Sequence, residues 1–208
     1  MASDTVQNPD DERILKYAGE LFHPFGITKP DPDTVVWDDN MDPDRVIVQL
    51  GEAKLPRSMM GRLTAEEWKP LLAPAIILGY FLLPRQPRDT ILRLVLPLGI
   101  GEVPLTVALL KTLPLGRQDP ALSISLLFAT IIIWASYALL MVALWSRRAW
   151  RGLFYTADGQ AADKLGREVL LATLTKYGET ISVTGYPRKR LHLWPTVSQR
   201  IERLQRSR

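Results

Sequence analysis

The sequence predicts a mainly helical α+β fold that is interrupted by a transmembrane helical hairpin. The first observation is a run of 25 residues, 121–145, that carries no charge and includes twelve Leu, Ile, Val or Phe residues. About 20 apolar residues in a helix cross the hydrocarbon core of a bilayer, so this run is long enough to span with some tilt. A buried core helix fits poorly at this length in a chain of 208 residues. The other observations are an uneven charge distribution and short helix and strand patterns on both sides of the run.

A second span is predicted over residues 91–110, which are apolar but include Glu102, Pro97 and Pro104. A carboxylate at the centre of the membrane costs about 2.5 kcal/mol or more unless it is protonated or faces protein. We therefore expect Glu102 to be an intramembrane residue that faces protein, either within the hairpin or in a partner subunit. The connector 111–120 contains two prolines and a glycine, which is typical of a turn at the far membrane surface.

Charge falls into three blocks along the chain. Residues 1–70 have a net charge of −6, residues 71–146 of +2 and residues 147–208 of +8. Arginines flank the predicted hairpin on both sides, whereas the connector between its spans has only Lys111 and Arg117. The positive-inside rule then predicts an integral protein of the cytoplasmic membrane with both termini in the cytoplasm, and the polar N-terminus does not resemble a secretory signal. Basic residues beside a span favour the lipid bilayer over nucleic acid as their partner.

Composition excludes several classes of site. The chain has no cysteine, which excludes a disulfide framework, a cysteine-based zinc site, a thiol nucleophile and an iron–sulfur cluster. Its two histidines, His23 and His192, are too few for a histidine-rich metal cage. His23 stands alone before a proline, so we expect a surface or satisfied histidine there rather than a ligand. A hydrophobic content of 47% excludes intrinsic disorder.

Local patterns outside the hairpin predict helices and a small sheet. Apolar spacing predicts a helix over Asp10–Phe22, and short strands are expected at Thr34–Trp37 and Arg45–Leu50, forming a β-meander. A capping box at Thr64–Glu67 predicts the start of a helix. That helix runs into the apolar stretch Leu71–Leu83, which at 13 residues is too short to span and is expected to be buried or interfacial.

The predicted organisation has four parts, and two further helices are expected over residues 150–176 and 196–205. The parts are a flexible N-terminus (1–9), an N-terminal part of the soluble domain (10–84), a membrane hairpin (85–146, with spans at about 91–110 and 121–145) and a C-terminal helical part (147–208).

Three stretches around the hairpin carry motifs in a recognisable order. Residues 62–73 read RLTAEEWKPLLA, residues 146–161 begin with SRR and contain YTAD, and residues 194–204 read WPTVSQRIERL. Over roughly residues 10–205, this order resembles the integral-membrane zinc metallopeptidases of the HtpX and CAAX prenyl protease type. The corresponding family patterns are L-s-x-E-E-L-x-x-V-L-A, S-R-R-x-E-Y-x-A-D-x-x-A and H-P-x-x-x-x-R-I-x-x-L.

The resemblance implies a gluzincin-type peptidase domain in which the positions that carry the chemistry are replaced. The family's helix bears H-E-x-x-H, two histidine ligands and a glutamate base, and in register these positions hold Pro74, Ala75 and Leu78. The glutamate ligand corresponds to Phe154, and the histidine of the terminal H-P to Trp194. None of these residues can bind a metal, so the resemblance implies a degenerate site without zinc or another cofactor. The family positions that are retained are Tyr155, Ala157, Asp158 and Arg200.

The hypothesis that follows is a membrane-anchored, non-catalytic pseudopeptidase that binds protein. It would act as an accessory subunit of a membrane complex or as a regulator of an active relative. One alternative is an active membrane metalloendopeptidase with replaced ligands or another mechanism, which zinc content would reveal. The other is a purely structural subunit whose peptidase resemblance reflects ancestry alone; loss of assembly on deletion, without client binding, would favour it.

Overall fold

The chain is mainly helical, with a small mixed sheet and one long apolar helix. The computed structural model describes residues 10–85, 99–101, 103–107, 110–111, 120–183 and 194–206. Two compact units are present, one formed by Met1–Arg85 with Trp150–Arg208 and the other by Gln86–Ala149. The predicted flexible N-terminus, 1–9, lies outside the described residues.

Helix α1, Asp11–Phe25, buries the face that its apolar spacing predicts. Ile14, Ala18 and Leu21 are buried, and their intervals of four and three residues place them on one side of the helix. The helix ends at Gly26, whose φ of 65° is the left-handed conformation that favours glycine at this position. It therefore extends one turn beyond the predicted end.

A three-stranded sheet follows, and its topology differs from the prediction. Its strands are β1 (Thr34–Asp38), β2 (Ile47–Gln49) and β3 (Glu52–Pro56), in the order β1-β3-β2. Strand β1 runs parallel to β3, and β2 runs antiparallel to it. The expected β-meander is therefore wrong, because an unpredicted strand lies between the two that were expected. The local signal of β3 is weak because Glu52 and Lys54 are of types that strands disfavour.

Helix α2 begins with the predicted capping box, which is confirmed. The Thr64 N–H donates to Glu67 Oε2 at 3.0 Å, and the Thr64 side chain accepts from the Glu67 N–H. The helix spans Ala65–Ile76 and continues as a π-helical segment, Ile77–Leu82, and a last α-helical turn, Leu83–Arg85. It passes through Pro70 and Pro74 without ending. Residues 71–78 are buried, so most of the short apolar stretch belongs to the core.

The turn between β2 and β3 packs against this π-helical segment. Its two residues, Leu50 and Gly51, have φ values of 53° and 83°. Positive φ at both positions is typical of a type I′ turn, whose twist matches that of the flanking strands. The Gly51 N–H donates to the Tyr80 hydroxyl at 3.4 Å.

Three more helices lie in the described chain. They are α3 (Pro120–Leu165), α4 (Arg167–Val183) and α5 (Val197–Arg206). Gly166, with φ 92°, separates α3 from α4. Tyr177 of α4 is buried edge-on against Trp68 of α2, with ring centroids 6.1 Å apart. Its hydroxyl donates to the carbonyl of Pro43, so α4 also holds the loop between β1 and β2.

The second unit contains the apolar part of α3. Within the described residues, one helix is long and apolar enough to cross a membrane, Ile124–Leu165, and no part of its most apolar window is buried inside the protein. Some residues between 99 and 111 are also helical. They contact α3, since a Cβ added to Gly101 would lie 2.6 Å from Tyr137 Cε1. The rest of the predicted second span, including Glu102, lies outside the described residues.

Candidate functional site

One cavity brings together positions that the sequence analysis singles out. Its volume is about 110 Å³, and it lies in the first unit between β2, the end of α2, α3 and the segment that precedes α5. Ala75, Leu78, Phe154 and Trp194 all line it. Pro74 is buried in α2 and is not among the lining residues. Four of the five positions that the sequence resemblance singles out for peptidase chemistry are therefore neighbours in space.

Strand β2 forms one wall of the cavity with its outer edge. Gln49 pairs with Glu52 across the two-residue turn, and Val48 pairs with Ala53. Because hydrogen-bonded and non-hydrogen-bonded pairs alternate, the backbone N–H and C=O of Val48 point away from β3. The Val48 carbonyl packs against the π-helical segment, since a Cβ added to Gly79 would lie 2.1 Å from that oxygen. Glycine is therefore required where the helix covers this sheet edge.

Three aromatic rings also line the cavity. The ring centroid of Trp194 lies 5.7 Å from that of Trp150, edge-on, and 6.5 Å from that of Phe154. The guanidinium carbon of Arg45 lies 4.0 Å from the Trp194 ring centroid. This is a cation–π contact, and the N–H donors of a guanidinium lie in the plane of the group.

Arg45 is the one charged residue among the described residues that line the cavity. Burial lowers the pKa of its guanidinium below the ordinary value, and the carboxylates of Asp42 and Asp44 act in the opposite direction. The ion pairs formed among the described residues do not include Arg45. Because arginine stays protonated in proteins, the edge of an otherwise uncharged cavity carries a positive charge.

The cavity lining offers apolar contact in place of metal ligands. The side chains of Ala75, Leu78 and Phe154 have no lone pair, and the indole of Trp194 is only a donor. A catalytic zinc takes three protein ligands from His, Glu, Asp and Cys. In the part of the chain that the structure describes, no cluster of three or more such residues could hold a metal ion. These side chains can contact an apolar group, and Arg45 adds one guanidinium to the lining.

Asp158 and Arg200, two of the positions that the sequence resemblance singles out, form a buried ion pair. Arg200 Nε donates to Asp158 Oδ2 at 2.8 Å, and Nη2 donates to Oδ1 at 2.5 Å. Burial alone would lower the pKa of Arg200, but the carboxylate of Asp158 reverses the effect and raises it. Of the other two retained positions, Ala157 is buried and the Tyr155 ring lies 5.9 Å from the Arg203 guanidinium.

Sequence reasoning missed three residues that complete these arrangements. Arg45 and Trp150 carry no motif, although Trp150 stands two positions after the Arg147–Arg148 pair that follows the apolar run. Tyr177 lies within electrostatic range of Arg200 and Asp44, and burial raises the pKa of its hydroxyl. It stands one position beyond the end of the predicted helix 150–176, although the observed helix α4 includes it.

The remaining candidates lie elsewhere. His23 is exposed in the last turn of α1. Glu102 and His192 are outside the described residues. A larger cavity of about 290 Å³ lies between the loop before Arg45, α4 and the start of α5, lined in part by Asp44, Glu179 and Ile201. It contains none of the positions that the sequence singles out.

Comparison with known proteins gives no further assignment. No family model matches the chain, and neither a curated protein nor a solved structure matches it.

Proposed function

We propose that this chain is a membrane-anchored, non-catalytic metallopeptidase-like protein that acts by binding protein, as an accessory subunit of a membrane complex or as a regulator of an active relative. The observation that carries the proposal is the shared cavity of Ala75, Leu78, Phe154 and Trp194. In the metallopeptidases that the sequence resembles, the corresponding positions would hold, in this order, the glutamate base, a histidine ligand, the glutamate ligand and the histidine of the terminal H-P motif. Here they form a small apolar cavity.

The ion pair between Asp158 and Arg200 also supports the proposal. The two residues come from the second and third motif stretches, which are separated by 42 positions. Residues that correspond to one family's motifs would be expected to meet in a common domain, and these two meet with two hydrogen bonds. The pair joins α3 to α5 and is not part of the cavity lining.

The proposal excludes hydrolysis on chemical grounds. Metal-assisted hydrolysis needs a zinc-bound water and a group that takes its proton. No side chain that lines the cavity among the described residues can accept a proton at neutral pH, because Arg45 is already protonated and the others are neutral. Peptide binding requires only surface and hydrogen bonds, which this arrangement retains.

Zinc content tests the non-catalytic part of the proposal. The purified full-length chain should contain far less than one zinc ion per chain, as measured by inductively coupled plasma mass spectrometry. Chelators should leave its melting temperature unchanged, and the chain should not cleave general protease substrates. Stoichiometric zinc together with chelator-sensitive proteolysis would instead support the active metalloendopeptidase.

Copurification tests the binding part. We expect wild-type chain in mild detergent to retain a membrane-protein partner that mass spectrometry identifies. Filling the cavity with Ala75→Phe should release this partner, whereas Arg62→Gln, at an exposed position outside the cavity, should not. The melting temperature of each variant shows whether it is folded. A partner retained equally by both folded variants would contradict binding through the cavity.

Membrane anchoring is proposed as a two-span hairpin with both termini in the cytoplasm. It is supported by the apolar helix within α3 and by the contact between Gly101 and Tyr137. Topology reporters after Met1 and after Arg208 should both report the cytoplasm, and one at Gly116 should report the opposite side. A terminus that reports the far side would contradict this topology.

A further inference from the structure

The cavity at Trp194 combines two features that together specify a ligand. Its lining is mostly apolar and includes Val48, Leu78 and Phe154. The guanidinium of Arg45 also lines it, with its central carbon 4.0 Å from the Trp194 ring centroid. The paired N–H donors of a guanidinium match the two oxygens of a carboxylate.

We propose that this cavity binds an apolar side chain that is flanked by a carboxylate and belongs to a partner protein. The inference rests on the proposed binding function, because it names the chemistry that the partner must present. The apolar group would enter the cavity beside Ala75 and Leu78. The carboxylate would accept hydrogen bonds from the Arg45 guanidinium.

The size of the cavity sets the size of the apolar group. An engineered apolar cavity of about 150 Å³ accommodates benzene. A volume of about 110 Å³ is smaller and suits a branched group of four carbons, such as the side chain of leucine. An indole or a lipid acyl chain is too large to be enclosed.

The charge of Arg45 sets the second requirement on the ligand, which is a carboxylate. The ion pairs formed among the described residues do not include its guanidinium. The carboxylates of Asp42 and Asp44 favour its charged state, but burial outweighs them. A carboxylate at hydrogen-bond distance would compensate that loss of hydration. The phosphate of an anionic phospholipid could also reach Arg45, but its apolar chains are too long for this cavity, so the observations favour a protein segment.

Small probes test the site directly. The full-length chain, labelled with ¹⁵N and held in phosphatidylcholine nanodiscs, is titrated with 4-methylpentanoate, which has the branched carbons of leucine and one carboxylate. Saturable shifts of the Trp194 indole N–H and the Arg45 Nε–H are expected. The uncharged 4-methylpentanamide and the shorter acetate should each bind at least tenfold more weakly.

Variants assign the two interactions. Arg45→Gln should weaken 4-methylpentanoate to the level of the amide, and Ala75→Leu should remove binding by filling the cavity. Arg62→Gln, an exposed arginine outside the cavity, serves as the matched control and should bind as wild type does. Equal binding of acid and amide, or unchanged binding by folded Arg45→Gln, would overturn the proposal. Displacement of the probe by phosphatidylglycerol in the nanodisc would assign the site to lipid and overturn it as well.

Two dipeptide probes distinguish the possible sources of the carboxylate. N-acetyl-leucyl-glutamyl amide presents an acidic side chain after leucine, and N-acetyl-glycyl-leucine presents a free C-terminus. Binding of either supports the proposal, and failure of both overturns it. If the probes bind but the chain retains no protein partner, the result contradicts the proposed function and supports the ligand site. If a partner is retained by Arg45→Gln as strongly as by wild type, the site fails and the function remains.

Discussion

Asp158 and Arg200 form a bidentate ion pair that joins α3 to α5 inside the first unit. Their side chains are 1% and 8% exposed, and the two hydrogen bonds measure 2.8 and 2.5 Å. Such a pair contributes little net stability, because removing two charges from water offsets most of their attraction. Each charge nevertheless depends on the other, because either one would be buried without a counter-charge if its partner were removed.

This dependence predicts the effect of single and double substitutions. Arg200→Met leaves the Asp158 carboxylate buried and unpaired, which should lower the free energy of unfolding by about 3–5 kcal/mol. The double variant Asp158→Leu with Arg200→Met removes both charges and should recover most of that loss. Chemical denaturation of the detergent-solubilised chain measures Arg200→Met, Asp158→Leu and the double variant. Additive losses in the double variant would show that the two charges do not depend on each other.

Gly79→Ala should be strongly destabilising. Its Cβ would lie 2.1 Å from the carbonyl oxygen of Val48, and both contacting groups are backbone or fixed to it, so a strand or a helix must move. We expect a loss of about 2–3 kcal/mol, at the upper end for overpacked positions, and a lower melting temperature.

Gly152→Ala is the matched control for this substitution. Gly152 is also helical, but no atom lies within 4 Å of an added Cβ. Alanine should therefore stabilise the chain by about 0.5–1 kcal/mol through helix propensity. If Gly79→Ala were as well tolerated, α2 and β2 would not be in close contact.

Local patterns were sufficient for α1 and the start of α2 and insufficient for the sheet and the site. The expected helix over 150–176 is wrong in its bounds, because α3 runs on to Leu165 and Gly166 separates it from α4. The spacing of Ile14, Ala18 and Leu21 predicts α1 because a helix brings near neighbours in the sequence onto one face. The parallel pairing of β1 with β3 has no such local signal, since it depends on where the chain returns. The stack of Arg45 on Trp194 joins residues that are far apart in the sequence, and tertiary packing alone brings them together.

The positions that motif register singles out show the same distinction between local and long-range information. Motif register identified Ala75, Leu78, Phe154 and Trp194 as corresponding positions, and the structure brings these four together. Motif register does not predict which other residues line the cavity. Arg45 lines the cavity because β2 begins next to it and covers the end of α2, a long-range arrangement that strand propensity does not encode.

Leu50 occupies a turn position that suits another residue. Its φ is 53° and its side chain is 93% exposed, so it has backbone strain without compensating burial. Asparagine tolerates this conformation and is strongly preferred before glycine in type I′ turns. Leu50→Asn should raise the free energy of unfolding by about 1 kcal/mol, the lower end of the cost of such strain. A lower melting temperature would show instead that the leucine makes a stabilising contact.

The last prediction concerns acid stability and the capping box of α2. Burial alone would raise the pKa of Glu67, but hydrogen bonds from Lys176 and the Thr64 backbone outweigh it and lower the pKa below its ordinary value. A carboxylate with a lowered pKa in the folded state stabilises the fold at pH values above its unfolded pKa, about 4.3 for glutamate. As the pH falls below that value and through the folded pKa, the stabilisation is lost. Glu67→Gln should therefore lower stability at pH 7 and reduce the slope of the melting temperature between pH 5 and the acid limit.

The partner of Glu67 gives a matched test of this interpretation. Lys176→Met removes the cation that contacts the carboxylate and should raise the folded pKa of Glu67 toward the ordinary value, which reduces the same slope. Lys164→Met removes an exposed lysine of α3 and should leave the slope as it is in wild type. Melting temperatures measured by calorimetry from pH 7 down to pH 3 compare the three variants. If Glu67→Gln and wild type lose stability in parallel, the acid sensitivity arises from other carboxylates and the capping box does not contribute to it.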